Sequence, residues 1–337
     1  MGYRVAINGF GRIGRNYLRA TLQRGLLGKE IDIVGINDLW DPATLAQLVA
    51  YDSTFGPLHV DVAHDDASID VGGYRIPTNN QKDPSGLGWG ELSVDLVIES
   101  TGKLRARDDA AAHLKAGAKR VLISAPGKNV DATFVVGVNE HEYDPVRHEI
   151  VSAASCTTNC VAPMASVLQH AFGIERGFLT TVHAYTNDQN VLDGPHKDPR
   201  RARSAAVNII PTSTGAAKAV GLVLPELSGR LDGVALRVPV ENGSMSDLAL
   251  QLSVPVTVSE VNAAFAAAAA GRLDGILKYT NAPLVSRDIV GDTHSCILDA
   301  SLTQASGDLV KVFGWYDNEW AYTHRLIDLS LLFAGQE

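Results

Sequence analysis

Residues 155–160 of the sequence read SCTTNC, with two cysteines four positions apart. The pair is compatible with a metal clip, a redox couple, or a single nucleophile beside a packing residue. A helix is predicted from Thr157 to Phe172, which places Cys156 at its start, where the positive end of the helix favours thiolate over thiol. Cys160 would lie one turn further on among apolar residues, so we expect it to be buried packing.

His183 is the residue that we expect to exchange a proton with Cys156. It lies in the strand-like segment TTVHAYT, among small and apolar residues. A cysteine beside an imidazole can form an ion pair, and the same imidazole can then act as general acid and base. The sequence contains 10 histidines, so a solvated or structural histidine remains the alternative.

A polar loop after His183, residues 186–218, combines arginines with hydroxyl side chains. Its members include Arg200, Arg201, Arg203, Thr212, Ser213 and Thr214. Arginine forks and backbone amides suit phosphate oxygens, so the loop indicates an anion site, with a solvated surface loop as the alternative. Arg237 lies in the apolar segment ALRVPV, and an arginine in such a context is usually paired or directed at a ligand.

Residues 9–14, GFGRIG, fit the pattern G-x-G-x-x-G directly after a predicted strand and at the start of a predicted helix. In that setting the glycines allow a tight turn and a close approach of the backbone to a pyrophosphate, which the helix start stabilises. Asp38 follows the second apolar run, where an acid would bond the adenosine ribose and repel a 2′-phosphate. The pattern therefore predicts NAD binding and favours NAD over NADP. A turn with a surface aspartate is the alternative.

The elements that would position these residues differ between the two halves of the chain. In the first half, short apolar runs alternate with helix-like stretches, which predicts a Rossmann-type domain with a mainly parallel sheet. The strand-like runs are YRVAI (3–7), IDIVGI (31–36), VDLVIES (94–100), RVLISA (120–125), FVVGV (134–138) and EIVSAA (149–154). Residues 61–90 are rich in Asp, Gly and Asn, and we expect a hairpin insertion there.

After residue 155 strand-like runs dominate, which predicts an α+β domain with a mixed or antiparallel sheet. The Ala-rich segment SEVNAAFAAAAAGRL is predicted to be a helix with Ser259 as its N-cap. We therefore expect a NAD-binding domain over residues 1–154 and a catalytic domain over residues 155–317. The helical tail, residues 318–337, is expected to pack back on the NAD-binding domain.

Composition and charge argue against several classes of function. The 337 residues carry a formal net charge of −9, which gives no general basic field for nucleic acid. No apolar run reaches the roughly 20 residues that cross a bilayer, and the N-terminal stretch has no signal-type apolar region. The three cysteines, without a CxxC or HxxxH pair, lead us to expect a cytoplasmic protein without a metal site.

Taken together, these segments resemble the phosphorylating, NAD-dependent glyceraldehyde-3-phosphate dehydrogenases of bacterial type. The matching motifs are NGFGRIGR, ESTG, SAP, SCTTNC, HAYTNDQ, PHKDPRRAR, PTSTGAAK, LRVPV and WYDNEW, in the family's order. The resemblance implies that Cys156 attacks the aldehyde of glyceraldehyde 3-phosphate in glycolysis and that His183 takes its proton. Hydride would then pass to NAD, and inorganic phosphate would release 1,3-bisphosphoglycerate from a thioester.

The resemblance also implies which residues surround each ligand. Beside the glycines Gly9, Gly11 and Gly14, NAD would be contacted by Arg12, Ile13, Asp38, Lys82, Ser124 and Asn318. Of these, Asn318 would fix the nicotinamide carboxamide. The substrate phosphate would be bordered by Thr186, Asp188 and Arg237, and the attacking phosphate by Ser155, Thr157, Arg201, Thr214 and Gly215. The family is homotetrameric, so a homotetramer is implied as well.

Several positions depart from the family's pattern. Ala153 stands where Asn is usual before the cysteine, and Ala321 stands where Gly is typical. Gly194 occupies a position where leucine is common, and Glu241 and Gly243 alter the stretch that follows LRVPV. These changes suggest the hypothesis of an isoenzyme with a reshaped pocket and an altered sensitivity to thiol inhibitors.

Two alternatives stay open at this point. Erythrose-4-phosphate dehydrogenase shares the fold, nucleophile and cofactor, although the intact TSTG and RRAR elements favour the triose enzyme. A non-catalytic NAD-binding regulatory protein would have the same fold. It would be expected to have lost the chemistry, yet Cys156, His183 and Arg237 are all present.

Overall fold

The computed structural model describes residues 2–336, which form two compact units. Unit 1 consists of the described residues up to Phe134, Glu142–Ala154, and those from Thr323 onward. Unit 2 consists of Val135–His141 and Ser155–Tyr322.

Unit 1 is built on a sheet whose central strands are parallel. The strands of unit 1 are β1 (Tyr3–Asn8), β2 (Ile31–Asn37), β3 (Tyr51–Asp52), β4 (Gly56–Pro57), β5 (Val62–His64), β6 (Ser68–Val71), β7 (Tyr74–Asn79), β8 (Leu96–Glu99), β9 (Arg120–Ile123), β10 (Ala132–Thr133) and β11 (Ile150–Ser152). The first three helices of unit 1 are α1 (Arg12–Gln23), α2 (Pro42–Ala50) and α3 (Arg107–Lys115). The sheet order is β10-β11-β9-β8-β1-β2-β7-β6-β5. Every pair from β10 to β7 is parallel, and the alternation of strands with helices is the predicted Rossmann-type architecture.

Polar side chains end three neighbouring strands of this sheet. Asn8 at the end of β1 donates to Glu99 at the end of β8 over 2.6 Å, and Asn37 at the end of β2 donates to Asn8 over 2.7 Å. His113 of α3 lies 3.0 Å from the same Glu99 oxygen, and its other ring nitrogen accepts a hydrogen bond from Trp89. Because buried polar groups with satisfied partners allow few alternative arrangements, this network fixes the strand ends from which the first loops leave.

The hairpin insertion expected within residues 61–90 is confirmed. Strand β6 pairs antiparallel with both β5 and β7, so two successive hairpins extend the sheet beyond β2. The exposed, polar composition of this stretch suits strands with one side open to solvent.

The prediction of a strand at residues 134–138 is wrong. The chain turns there, and β10 ends at Thr133. The Glu140 carboxylate accepts hydrogen bonds from the backbone of Gly137 and Val138 at 2.9 and 3.1 Å, and Asn139 accepts one from Val135 at 2.9 Å. These side chains capture the donors that a neighbouring strand would need, so the local polar residues overrule the apolar run.

Unit 2 contains a mixed sheet flanked by helices. Its strands are β12 (Ile174–Ala184), β13 (Ile210–Ser213), β14 (Leu231–Val238), β15 (Ser244–Leu252), β16 (Leu277–Thr280), β17 (Cys296–Asp299), β18 (Gln304–Ser306) and β19 (Leu309–Tyr316), and its helices are α4 (Cys156–Phe172), α5 (Ala216–Val223) and α6 (Val258–Ala269). The order is β13-β14-β12-β15-β19-β17-β16, with β18 beside β19. Only β12–β14 and β16–β17 are parallel among its described pairs, which agrees with the predicted fold class.

Helix α4 packs its apolar side chains into the core of unit 2. Met164 and Leu168 are fully buried, and so is Cys160. The Cys160 sulfur lies 3.7 Å from the carbonyl oxygen of Gly314 on β19 and 4.0 Å from the sulfur of Met164. Cys160 is therefore a packing residue, as the sequence predicted.

The N-cap expected for α6 is displaced by two residues. Thr257, not Ser259, caps the helix, and its hydroxyl accepts from the backbone of Glu260 over 3.2 Å. The Glu260 carboxylate in turn accepts from the backbone of Thr257 over 2.8 Å. This reciprocal capping box satisfies two backbone donors, whereas Ser259 could not recruit an acid at the required spacing.

The last helix, α7 (Trp320–Ala334), contributes to unit 1 from Thr323 onward. The hydroxyl of Tyr17 in α1 donates to that of Ser330 over 2.8 Å, and both side chains are buried. Arg24 forms an ion pair with Asp328 at 2.8 Å. These contacts attach the end of the chain to the first helix of unit 1.

Candidate active site

Cys156 is the first residue of α4, and its side chain is partly exposed. The N-cap is Ser155, whose hydroxyl accepts from the backbone of Thr158 over 3.0 Å. The Asn159 side chain donates to the Ser155 carbonyl over 2.9 Å. These bonds fix the first turn of α4. They place the Cys156 sulfur at the N-terminal end of the helix, where backbone N–H groups have no hydrogen-bond partner within the helix.

His183 lies one residue before the end of β12 and is 5% exposed. Its Nε2 atom is 3.4 Å from the sulfur of Cys156, and its Nδ1 atom is 2.7 Å from the carbonyl oxygen of Ala184. When Nδ1–H donates to that carbonyl, the lone pair of Nε2 faces the thiol. This is the arrangement that a general base requires.

Arg237 is the third member of this group. The parallel register of β12 and β14 pairs it directly with His183. One of its terminal nitrogens donates to the carbonyl of Ala184 over 2.9 Å and lies 2.8 Å from Nδ1 of His183. The pairing of two strands therefore brings a fixed positive charge to the imidazole.

The electrostatics of the group favour an uncharged cysteine and histidine. Burial raises the pKa of Cys156 to about 11, while Arg237 and Thr157 lower it. Burial, reinforced by the charge of Arg237, lowers the pKa of His183 to about 3. Burial therefore acts against the thiolate that the helix start is expected to favour.

Tyr316, at the end of β19, lies in the same region and was not predicted from the sequence. Its hydroxyl lies 2.8 Å from the hydroxyl of Thr157 and 2.8 Å from that of Thr181. Its ring meets that of His183 edge-on, with centroids 6.0 Å apart. Tyr316 lies in the family motif WYDNEW, which could have drawn attention to it. The hydrogen-bond partners of Tyr316 are more than 130 residues away in sequence.

Asp188, predicted to border the substrate phosphate, pairs with Arg201, which is predicted to border the attacking phosphate. Arg201 forms an ion pair with Asp188 and lies 3.6 Å from Asp198. His196 lies 3.5 Å from Asp188. Arg201 is thus held by carboxylates, whereas the chain gives Arg237 a carbonyl and an imidazole as neighbours.

The remaining residues predicted at the attacking phosphate have mixed surroundings. The Thr157 side chain is buried against Tyr316, and the Ser155 hydroxyl caps α4. Thr214 accepts from the backbone of Ala216 over 3.2 Å at the start of α5, where Gly215 is the N-cap. Space is open where a side chain of Gly215 would begin. That opening suits a ligand oxygen close to the backbone.

In unit 1 the glycine motif joins β1 to α1. Gly9 has a φ of +91°, and a side chain there would collide with the backbone of Thr101. A side chain at Gly14 would approach the Gly9 carbonyl to 2.3 Å, while the space above Gly11 is open. The motif thus combines a tight turn with an accessible helix start, where no side chain caps α1.

Asp38 lies directly beside this motif. Its carboxylate accepts from the backbone of Phe10 over 2.7 Å and from that of Trp40 over 3.2 Å. The acid is therefore fixed against the glycine turn, as a ribose-binding residue would have to be.

The other predicted cofactor residues of unit 1 lie outside the glycine turn or have other partners. Arg12 pairs with Asp52 and stacks over the ring of Phe55 at 5.7 Å, and Ile13 is partly buried in the first turn of α1. Lys82 is exposed in the turn after β7, and the backbone of Ser124 donates to the Glu99 carbonyl over 2.9 Å. Arg12 is the member of this set that already has a carboxylate partner.

Asn318, the remaining predicted cofactor residue, belongs to unit 2. It is 6% exposed, and its side-chain oxygen accepts from the hydroxyl of Ser244 over 2.7 Å.

Comparison with known proteins covers both units. Residues 3–107 match the family model of the glyceraldehyde 3-phosphate dehydrogenase NAD binding domain, and residues 155–318 match that of the C-terminal domain. The chain belongs to the glyceraldehyde-3-phosphate dehydrogenase family.

Individual members of the glyceraldehyde-3-phosphate dehydrogenase family align along the whole chain. Glyceraldehyde-3-phosphate dehydrogenase 2 of Streptomyces avermitilis is 56% identical over 337 residues, covering 100% of both chains. Glyceraldehyde-3-phosphate dehydrogenase of Streptomyces coelicolor is 56% identical, again over 100% of both chains. That of Geobacillus stearothermophilus is 55% identical over 100% of this chain and 99% of its own.

The NAD cofactor of glyceraldehyde-3-phosphate dehydrogenases fits the residues of unit 1. The open space above Gly11 would hold a pyrophosphate against the uncapped start of α1. Asp38, fixed by Phe10, would accept from the ribose hydroxyls. Within residues 2–336 no group of three or more His, Cys, Asp or Glu side chains is suited to a metal ion. Over the same residues, no helix has the length and apolar character needed to span a membrane.

Proposed function

We propose that this protein oxidises glyceraldehyde 3-phosphate with NAD and inorganic phosphate to 1,3-bisphosphoglycerate, through a thioester on Cys156. The observation that carries the proposal is the 3.4 Å approach of Nε2 of His183 to the sulfur of Cys156, in a chain of this family. Cys156 is the proposed nucleophile and His183 the proposed general base and acid.

The first step joins the cysteine to the aldehyde. As the sulfur attacks the carbonyl carbon, the thiol proton moves to Nε2 of His183 and from there to the oxygen of the new thiohemiacetal. A neutral imidazole is needed for this transfer, and the low pKa of His183 keeps it neutral.

The second step oxidises the thiohemiacetal. NAD, when bound, supplies the acceptor for the hydride that leaves the carbon. His183 takes the hydroxyl proton as the carbon–oxygen double bond of the thioester forms. The charge of Arg237, 2.8 Å from Nδ1, favours onward loss of that proton from the imidazolium.

The third step releases the product. A hydroxyl oxygen of inorganic phosphate attacks the thioester carbon and gives its proton to Nε2 of His183, the carbon–sulfur bond breaks, and the same proton passes from His183 to the sulfur. We assign Arg237, Thr186 and Asp188 to the substrate phosphate. We assign Ser155, Thr157, Arg201, Thr214 and Gly215 to the attacking phosphate. Since Arg201 is paired with Asp188, an incoming phosphate would have to exchange with that carboxylate.

The test is the formation of NADH from glyceraldehyde 3-phosphate, with and without inorganic phosphate, and with erythrose 4-phosphate as the competing aldehyde. Cys156→Ser should abolish turnover, while the matched variant Cys160→Ser should retain it because that sulfur is buried packing. Turnover by Cys156→Ser, or a preference for erythrose 4-phosphate, would contradict the proposal.

We further infer that the protein assembles as a homotetramer and resides in the cytoplasm. Unit 2 exposes large apolar side chains, among them Val207, which is 76% exposed, Leu192 and Phe178, and such side chains suit burial in an interface. All three cysteines are free thiols, which suits a reducing compartment. Light scattering coupled to size exclusion measures the assembly.

The hypothesis of altered thiol-inhibitor sensitivity remains a prediction. The methyl groups of Ala153 and Ala321 are both buried, so each acts through packing and not through direct contact with a solvent-borne inhibitor. Comparing inactivation rates in Ala153→Asn and Ala321→Gly with those of the unchanged protein tests it, and equal rates would end the hypothesis.

A further inference from the structure

Ser244, the first residue of β15, links Asn318 to Ala184, the neighbour of His183. Its hydroxyl accepts a hydrogen bond from the backbone of Ala184 over 3.1 Å and donates to the side-chain oxygen of Asn318 over 2.7 Å. Ala184 is the neighbour of His183, and its carbonyl oxygen accepts from Arg237 and lies 2.7 Å from Nδ1 of His183. Ser244 is 1% exposed, so these bonds are made out of reach of solvent.

We propose that Ser244 is a positioning residue that sets the orientation of the Asn318 amide toward the nicotinamide and, through Ala184, holds the strand end that carries His183. The inference rests on the proposed function and adds a residue to it.

The orientation of an amide has to be set by its partners, because its two ends are similar in size. The Ser244 hydroxyl uses one lone pair for Ala184 N–H and gives its hydrogen to Oδ1 of Asn318. Among the described residues nothing accepts a hydrogen bond from the Asn318 NH₂ group. That group is therefore available to donate to the carboxamide oxygen of a nicotinamide, and Oδ1 keeps a second lone pair for the carboxamide NH₂.

Ser244 is itself held by the segment that precedes it. Gly243 has a φ of +90°, and a side chain there would approach the carbonyl of Ser286 to 2.3 Å. Glu241 forms an ion pair with Arg287 at 2.5 Å. The two residues that depart from the family's pattern thus fit this segment against residues 286–287, and Ser244 follows directly.

Asn318 is held from its other side as well. The buried carboxylate of Asp317 accepts from the side chain of Asn242 and the backbone of Gly291, each over 2.8 Å. It also accepts from the backbone of Trp320 over 2.7 Å at the start of α7. With the backbone fixed in this way, rotation of the Asn318 amide is the freedom that remains for Ser244 to remove.

Ser244→Ala tests the proposal, and β15 offers a matched control. Ser246 lies two residues further on the same face of the strand. It is also fully buried, and its hydroxyl has no hydrogen-bond partner within the described chain. Ser246→Ala therefore removes the same atom from a similar environment without removing a hydrogen bond.

Calorimetric titration with NAD and with ADP-ribose, which lacks the nicotinamide, provides a readout that does not depend on turnover. For Ser244→Ala we expect NAD to bind about three- to ten-fold more weakly, the range for one net hydrogen bond. ADP-ribose should bind within about two-fold of the unchanged protein, and Ser246→Ala should leave both ligands unaffected. The kcat with saturating NAD should fall in Ser244→Ala because a misoriented nicotinamide also slows hydride transfer.

Three outcomes would overturn the proposal: equal effects of the two serine variants, equal weakening of NAD and ADP-ribose, or unchanged NAD binding in Ser244→Ala. Thermal unfolding of both variants identifies a general loss of structure, which would weaken both ligands together. The proposed function fails separately, through absence of NADH formation by the unchanged protein. In that case the ratio of NAD to ADP-ribose binding still reports on Ser244.

Discussion

One terminal nitrogen of the Arg237 guanidinium lies 2.8 Å from Nδ1 of His183. A permanent positive charge at that distance opposes protonation of the imidazole, and burial acts in the same direction, so the pKa of His183 falls to about 3. Burial also raises the pKa of the Cys156 thiol, to about 11, while the charge of Arg237 acts in the opposite direction. Both effects favour a neutral thiol beside a neutral imidazole.

This neutral pair predicts how the reactivity of Cys156 depends on pH. Because the thiolate is the nucleophile and the pKa lies near 11, its fraction should rise about ten-fold for each pH unit from pH 7 to pH 9. The rate of iodoacetamide labelling at Cys156 in the cofactor-free protein should follow, with no plateau in that range. A plateau below pH 8 would instead indicate a thiolate–imidazolium pair. Cys156→Ser provides the background labelling of the two buried cysteines.

Arg237 is also predicted to bind the phosphate of the substrate. Replacing it by Ala should raise the KM for glyceraldehyde 3-phosphate by about ten-fold or more, as expected for the loss of a charge-assisted hydrogen bond. The KM for glyceraldehyde, which has no phosphate, should change much less. Arg176→Ala, which removes an exposed arginine bonded to Gln251 on the same sheet, is the control. Equal KM changes for the two aldehydes would show that Arg237 does not bind the substrate phosphate.

The parts of the fold that could be predicted depend on residues close together in the sequence. The glycine motif at residues 9–14 and the helix that starts at Cys156 depend on residues close together in sequence, and both form. The capping of α6 by Thr257 was also a local signal, since Glu260 stands at capping-box spacing. The choice of Ser259 overlooked that acid.

The remaining features depend on contacts between distant residues. Tyr316 meets Thr157 across 159 positions, and Ser244 meets Asn318 across 74. The pairing of β12 with β14, which sets Arg237 beside His183, is equally invisible to periodicity. The sequence shows that Cys156 lies at a helix start, which lowers a thiol pKa. It does not show burial, which raises the pKa of this thiol.

Asp38 is predicted to select NAD through its charge. Asp38→Asn retains an oxygen that can accept from Phe10, a contact of 2.7 Å in the present chain, but removes the repulsion of a 2′-phosphate. The ratio of kcat/KM for NADP to that for NAD should rise about ten-fold or more, measured with saturating glyceraldehyde 3-phosphate and phosphate. An unchanged ratio would mean that another residue excludes NADP. Asp41→Asn, at an exposed helix cap nearby, controls for the general loss of one negative charge.

Gly314 on β19 is predicted to be required for the packing of α4 against the sheet. A side chain there would begin 2.6 Å from the sulfurs of both Met164 and Cys296 and 3.1 Å from that of Cys160. All three sulfur-bearing residues are fully buried, so Gly314→Ala must displace them, at a cost of about 1–3 kcal/mol. The midpoint of thermal unfolding should fall by several degrees, while Gly86→Ala, where space is open, should leave it nearly unchanged. An unaltered midpoint in Gly314→Ala would show that the sulfur side chains rearrange freely. A lowered midpoint with normal kcat would confine the role of this contact to stability.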